Sequence, residues 1–327
     1  MSDDSTFHFN INELADEILV SPEYPVFTTN EDTDIQFILY HLNSSESFKN
    51  FCVMQKLGGT RTRLYFKKLE NYQLFIPSIN EQRKITLFLQ LLNKKFEKQQ
   101  EKIEKLEQFK KGMMQKVFTR ELRFKDEDGG EFPEWETKEL RELGEFKRSY
   151  SYSRSYEGPG EYYHIHYGDI HTKLRSVINR NTYLPSISIE SELEILETGE
   201  VIFADASEDY KDLGKSVVVK QTKDRKIVSG LHTHRFKPNG QLDSAFLMYF
   251  TKTKKYLAFI RMFGTGVSVL GISKNNLGTL EVPLPSIEEQ LKISDYLSTI
   301  DDKIEKENEK LMVLEKQKKG FMWGMFV

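Results

Sequence analysis

Two stretches of the chain carry apolar residues at alternating steps of four and three. One stripe runs Ile85, Leu89, Leu92, Phe96, Gln99, Ile103, Leu106, Lys110, Met113 and Val117. The other runs Ile293, Leu297, Ile300, Ile304, Glu307, Leu311, Leu314, Lys318, Phe321 and Met325. Such steps lay one apolar seam along a helix, and the Lys- and Glu-rich remainder suits solvated flanks. Pro77 and Pro285 precede the stripes and acidic residues follow them, as at a helix N-terminus. The spacing predicts two long helices; at ~1.5 Å per residue, 81–118 would span roughly 57 Å. Both seams break at matching places, Gln99 with Glu307 and Lys110 with Lys318. A parallel pair would oppose the two lysines, so an antiparallel coiled coil about a local two-fold axis is expected. That arrangement would set Gln99 against Lys318 and Lys110 against Glu307, and carry a globular module at each end. Between the stripes, EFKRSY, EVIFA (Glu200–Ala204), KSVVVK and KIVSG read as strands, and Ser244–Phe263 has helical spacing. The class predicted for 124–284 is therefore α/β.

The stripes belong to a longer repeat. Shifted by 208 positions, residues 77–118 align with 285–326 without a gap, and 20 of those 42 positions are identical. PSINEQRKI (Pro77–Ile85) meets PSIEEQLKI (Pro285–Ile293), and KKG at Lys110–Gly112 meets KKG at Lys318–Gly320. Upstream, FTTNEDTDIQFILYHL (Phe27–Leu42) matches FKPNGQLDSAFLMYFT (Phe236–Thr251), and the glycines of GGTRTRL (Gly58–Leu64) fall near those of GTGVSVLGI (Gly264–Ile272). A period this long is no solenoid; it indicates duplication of a whole domain. The second copy begins near Phe124 and places about 110 residues before Phe236, where the first has 26 before Phe27. The implied division is 1–76, 77–123, 124–284 and 285–327, with 1–76 a C-terminal remnant of the first module.

Composition narrows the function. The chain has 327 residues, 38% hydrophobic and 30% charged, with a mean hydropathy of −0.55. No apolar run approaches a membrane span, no leader pattern opens the chain, and the single Cys52 allows neither an internal disulfide nor a cysteine-based zinc site. A soluble, cytoplasmic protein is expected. The net charge of −3 does not itself point to nucleic acid. The charge is blocked, however: six Lys/Arg against three Asp/Glu over Lys147–Tyr183, eight against two over Lys211–Lys237, and an acidic stretch between, Glu190–Asp209. Aromatic residues interleave the first block.

Arg and Lys hold phosphates or guanine edges, and Tyr stacks or hydrogen-bonds, so these loops are candidate DNA contacts. The candidates are Arg148, Tyr150, Tyr152, Arg154, His164, His166, Tyr167, His171, Lys173, Arg175, His232, His234 and Gly266. The two H-x-H pairs would each present both rings on one strand face, but without cysteine or ligand-spaced carboxylates no metal site is assigned. No P-loop, dinucleotide fingerprint or adenine-methyltransferase tetrapeptide occurs, and Asp209-Tyr210-Lys211 is too short a motif to carry a nuclease.

The repeated unit, PSI-x-EQ-x-KI followed by a long helix and KKG, resembles the conserved region of the specificity (S) subunits of type I restriction–modification systems. HIHYGDIHT (His164–Thr172), FADASEDY (Phe203–Tyr210), SGLHTHRF (Ser229–Phe236) and GTGVSVLGIS (Gly264–Ser273) resemble parts of that family's target recognition domain. The resemblance implies a non-catalytic subunit that reads double-stranded DNA. Its helices would dock methyltransferase (M) subunits, joined by motor-nuclease (R) subunits, and set the gap between half-sites. S-adenosylmethionine, ATP and Mg would serve those partners, and none is expected in this chain. The front departs from the family: FPEWETKELRELGEF (Phe132–Phe146) has no counterpart before residue 27. Three readings follow: a shortened subunit completed by a second chain, a single reading head, or a scaffold or decoy that binds M subunits without full DNA readout.

Overall fold

The computed structural model describes residues 7–14, 16–21, 24–55, 64–220 and 225–326. The GGTRTRL comparison falls mostly on residues 56–63, outside those described. The chain divides into two compact units, Met1–Leu106 with Lys303–Val327, and Glu107–Asp302. In chain order the helices are α1 (Ile35–Ser44), α2 (Glu46–Met54), α3 (Phe66–Leu69), α4 (Ile79–Phe118), α5 (Tyr167–Thr172), α6 (Ser244–Phe250), α7 (Lys254–Phe263), α8 (Lys274–Gly278) and α9 (Ile287–Met325). The strands are β1 (Glu136–Glu139), β2 (Gly144–Lys147), β3 (Glu157–Ile165), β4 (Val177–Ile178), β5 (Ser186–Ile187), β6 (Val201–Ala204), β7 (Ala206–Ser207), β8 (Ser216–Val219), β9 (Lys226–Ser229), β10 (Thr233–Pro238), β11 (Leu270–Gly271) and β12 (Glu281–Leu284).

In the first unit, Asp34 caps α1 by accepting from the Phe37 amide, and Ser45 caps α2. Gln82, one turn into α4, is fully buried. Its side chain accepts from the Asp34 amide at 2.8 Å and donates to the carbonyls of Asp32 and Pro77 at 3.0 and 2.8 Å. Thr86 donates to the same Asp34 carboxylate at 2.9 Å. Phe37, Leu89 and Phe326 form a small core beneath this clasp. The glutamine of PSI-x-EQ is thus the residue that fastens the helix start to the preceding module; three bonds at about 1 kcal/mol each make it a substantial anchor.

Contacts between α4 and α9 in this unit run in opposite directions. Phe88 meets Phe321 edge-on at 5.1 Å, Lys318 lies 5.7 Å from the Phe96 ring centre, and the Gln99 amide donates to Glu307 Oε2 at 2.8 Å. The pairing therefore differs from the expected Gln99–Lys318 and Lys110–Glu307. Glu307 is buried and already takes Gln99, Lys102 and Lys310. An amide and two ammonium groups satisfy its oxygens, whereas Gln99 against Lys318 would leave a carboxylate elsewhere without a donor. Every stripe position along both helices is buried or half-buried except Phe321.

In the second unit the clasp recurs. The Asp243 amide donates to Gln290 Oε1 at 2.8 Å, Gln290 donates to the carbonyls of Gln241 and Pro285, and Ser294 donates to Asp243. Phe246 packs on Phe118 at 5.3 Å, as Phe37 packs on Phe326 at 5.4 Å in the first unit. Lys110 pairs with Asp301, which also accepts from the Tyr249 hydroxyl at 2.8 Å. The β-rich part holds a sheet ordered β2-β10-β6-β8-β4, a three-stranded sheet β5-β3-β9, and the pairs β1-β12 and β11-β7. β6 and β8, VIFA and SVVV, are buried at every position, as central strands of branched and aromatic residues should be. The helical spacing over 244–263 resolves into α6 and α7, because the Thr253 hydroxyl accepts from the Tyr256 amide and starts a new helix.

Candidate nucleic-acid interface

Four sequence-distant segments of the second unit meet at Asp205. Its carboxylate lies 3.1 Å from His232 Nδ1 and 3.4 Å from His234 Nδ1. Its amide donates to the His232 carbonyl, and its own carbonyl accepts from the Ile272 amide at 2.9 Å. The Tyr167 amide donates to the Leu231 carbonyl, the Leu231 amide donates to Tyr152, and the Tyr167 ring meets His232 edge-on at 5.3 Å. HIHYGDIHT, FADASEDY, SGLHTHRF and GTGVSVLGIS thus converge. His232 holds φ at +52°, a left-handed conformation that costs a non-glycine residue free energy and is common at functional sites. Its side chain is half exposed.

The predicted contacts divide by environment. Tyr167, His171 and His232 form one aromatic group, with His171 edge-on to Tyr167 at 5.5 Å. Arg148 is exposed and lies over the Tyr150 ring; Lys173 and Arg175 are exposed as well. Gly266 sits at φ +135°, where a Cβ would fall 2.0 Å from the Val269 carbonyl oxygen, so glycine is required for the turn that Thr265 and Gly271 close. Tyr150 and Tyr152 stack with ring centres 5.6 Å apart and pack on the core around Tyr162 and Val228. They line the site from the scaffold side.

Four of the predicted contacts have partners or burial within the protein: His164, His166, His234 and Arg154. His164 and His166 are buried and turn away from solvent: His164 lies at the end of β3 against Glu157, while His166 caps α5 by accepting from the Gly168 amide at 3.1 Å. Burial, with the Arg154 cation beside it, pushes His166 down to about 4, so it stays a neutral acceptor. His234 is likewise buried and bonded to the Ile272 carbonyl at 2.8 Å, and burial lowers its pKa. The rings of each H-x-H pair lie together, His164 and His166 with centres 6.0 Å apart and His232 and His234 on the one Asp205 carboxylate, although His166 and His232 stand just outside β3 and β10. Arg154 is committed to Asp169 at 2.9 Å and Glu157 at 3.1 Å. Among the described residues, no group of three His, Cys, Asp or Glu side chains fits a metal ion.

Part of the second basic block is neutralised within the protein. Arg235 is buried against Glu200, Lys237 pairs with Glu197, and Lys226 pairs with Glu161. The acidic stretch 190–209 thus supplies partners for Arg235 and Lys237, which composition alone does not reveal. Sequence reasoning missed Asp205 and Asp169 as organisers of the site, although both stand inside recognised motifs, FADASEDY and HIHYGDIHT. Near them, His164 Nδ1, Asp169 Oδ2 and His171 Nε2 are buried without a protein hydrogen bond.

Comparison with known proteins matches this arrangement to one family. A family model described as type I restriction modification DNA specificity domain matches residues 8–108 and 133–316. The chain is 25% identical over 304 residues to a putative type I restriction enzyme specificity subunit, MjaX, of Methanocaldococcus jannaschii, covering 88% of this chain and 66% of the relative. It is 26% identical over 321 residues to the MjaVIII specificity subunit of the same organism, covering 93% and 72%. The chain therefore spans about two thirds of the length of the first of these relatives. The fold is similar to that of a chain solved in work on complex assembly and conformational transition of the type I R-M system (TM-score 0.54, 18% identity, 89% of this chain, 70% of that one). It is also similar to a type I restriction–modification S subunit from M. genitalium (TM-score 0.54, 16% identity, 89% and 72%).

Proposed function

The chain belongs to the family of type I restriction modification DNA specificity domains, and on that premise we propose that it reads double-stranded DNA sequence for partner subunits and carries out no chemistry itself. The observation that supports the reading is the meeting of four family-like motifs at Asp205, beside the exposed His232, with Arg148 and Lys173 on the same unit. His232 and the turn at Gly266 present side chain and backbone to a groove, while Arg148, Lys173 and Arg175 hold phosphates. The two long helices act as an antiparallel coiled coil of pseudo-two-fold repeats, offset by 208, with Gln99 and Glu307 as equivalent positions at its axis. They dock M subunits and set half-site spacing; R subunits join them. Adenine methylation with S-adenosylmethionine and ATP- and Mg-driven cleavage fall to those subunits, in the cytoplasm. No helix among the described residues is long and apolar enough to cross a membrane. The test is DNA binding by the purified chain across a salt series. Joint replacement of Arg148, Lys173 and His232 by Ala should weaken binding at least tenfold and flatten the salt slope by about two. Unchanged affinity would place the interface elsewhere.

A second reading, a scaffold or decoy that binds M subunits without full readout, draws on the apolar surface of the first unit, where Val26 and Phe75 are exposed. Methylation by a complex carrying this chain separates the two.

A further inference from the structure

Ser244–Leu280 is the longest stretch of the sequence without an Asp or Glu, and it carries five Lys/Arg. It holds α6, α7, the turn at Gly266, β11 and α8. On α7, Lys254, Lys255 and Arg261 share the exposed face with Met262, opposite the buried Tyr256 and Ile260. Among the described residues none of these three cations meets a carboxylate, whereas Lys226, Arg235 and Lys237 are all paired. α7 leads straight into the turn. The Thr265 amide donates to the Gly271 carbonyl at 2.9 Å and the Gly271 amide to the Thr265 carbonyl at 2.7 Å, so residues 266–269 stand exposed on a two-bond base. That base is seated beside Asp205: Gly271 pairs with Ala206, and the Ile272 amide donates to the Asp205 carbonyl. At the tip Val267 is fully exposed and Val269 is 59% exposed. Single exposed apolar side chains are ordinary on a protein surface. A closed tip that needs glycine at φ +135° and carries two of them, beside the exposed ring of His232, is a built feature.

We propose that Val267 is a specificity-determining residue that reads a thymine through its C5-methyl group, while Lys254, Lys255 and Arg261 of α7 hold the backbone phosphates beside it. The inference rests on the DNA-reading function proposed above and names one base class that it selects. The chemistry follows from what base edges offer. In the major groove they present hydrogen-bond donors and acceptors, and the thymine methyl is the apolar group among them. A valine at an exposed tip has no donor or acceptor to offer, so it discriminates by covering that methyl and excluding water from it. The lysines and arginine of α7 carry no sequence information; they fix the height and angle at which the tip enters the groove. Division of labour within one acid-free segment keeps the approach free of repulsion between carboxylates and phosphates.

The test uses the full chain with its M subunit. A random duplex pool first yields the motif that this complex selects, and each thymine of that motif is then replaced in turn by deoxyuridine, which lacks only the methyl. Expected is a loss of affinity of about threefold to fivefold at one thymine, and no such loss at that position for the chain carrying Val267→Ala. Val267 is fully exposed, so this variant should keep the thermal midpoint of the parent. The chain carrying Lys254→Ala, Lys255→Ala and Arg261→Ala should select the same motif, bind every duplex more weakly and lose about two from the salt slope. Indifference of the parent to deoxyuridine at every thymine, discrimination that survives Val267→Ala, or an unchanged salt slope in the triple variant would overturn the proposal. So would a Val267→Ala chain that loses its M subunit while the motif stands, since the tip would then be a protein contact. A parent complex that selects no motif at all would overturn the DNA-reading function itself, a result distinct from each of these.

Discussion

Arg235 stands inside the most basic stretch of the sequence, yet its guanidinium is buried against Glu200. Nε lies 2.9 and 3.0 Å from the two carboxylate oxygens, Nη2 donates to the Ile195 carbonyl at 3.0 Å, and Glu200 also accepts from the Glu197 amide at 2.8 Å. Both side chains are at most 5% exposed. Glu200→Gln keeps the shape and removes the buried counter-charge, leaving the guanidinium only the exposed Glu194 carboxylate, 3.4 Å from Nη1. Breaking a buried pair in this way costs about 3–5 kcal/mol, whereas the double change Arg235→Met, Glu200→Leu should be near neutral or stabilising. Urea unfolding followed by Trp135 fluorescence, in a Trp323→Phe background, reports the second unit because Trp135 is buried there. A loss of that size lowers the midpoint by about 1–2.5 M for m near 2–3 kcal/mol/M. Under conditions where the variants stay folded, neither should alter the salt slope of DNA binding. A Glu200→Gln cost under about 1 kcal/mol, or a slope that drops by one ion on Arg235→Met, would refute the structural assignment and make Arg235 a DNA contact.

Three further outcomes are expected. His166 is held neutral at about 4 against an ordinary value of 6.5. Its depressed folded pKa makes stability full above pH 6.5 and progressively lost as pH falls towards 4, by up to ~3 kcal/mol; His166→Asn, which keeps an acceptor for the Gly168 amide, should flatten part of that loss in acid unfolding curves. Gly266→Ala forces a Cβ against the Val269 carbonyl, so DNA affinity should fall while global stability drops by only about 1–3 kcal/mol, measured by anisotropy and thermal melting on one preparation. Gln82→Ala should destabilise the first unit by about 2–4 kcal/mol, and Gln290→Ala the second by a similar amount; hydrogen exchange that showed either change loosening only the opposite unit would contradict the duplicated clasp.

The long helices were legible because a 4-3 apolar period survives even where polar residues interrupt it, and those interruptions proved to be half-buried or buried positions with partners. The partners themselves were not legible: a two-fold argument sets Lys110 against Glu307, and only the register shows that Asp301 is the carboxylate in reach. The strands of branched residues were equally plain, but β3 and α5 lay hidden in a Tyr-, Ser- and Gly-rich run whose composition suggests a loop. For the candidate site, the motifs named segments that the fold brings together, but not which of their side chains are buried. His164, His166 and His234 share residue type with His232 and differ only in which groups surround them, and charge counts cannot reveal that Arg235 and Lys237 face Glu200 and Glu197.

The central claim, that this chain directs sequence-specific methylation through its second unit, is tested most directly by mapping N6-methyladenine in DNA from cells expressing the chain with its M subunit. The account predicts methylation at one recurring motif, shifted or relaxed at a defined base position by His232→Ala. Methylation absent with M still co-purifying, or a motif indifferent to His232, Arg148 and Lys173 alike, would contradict it.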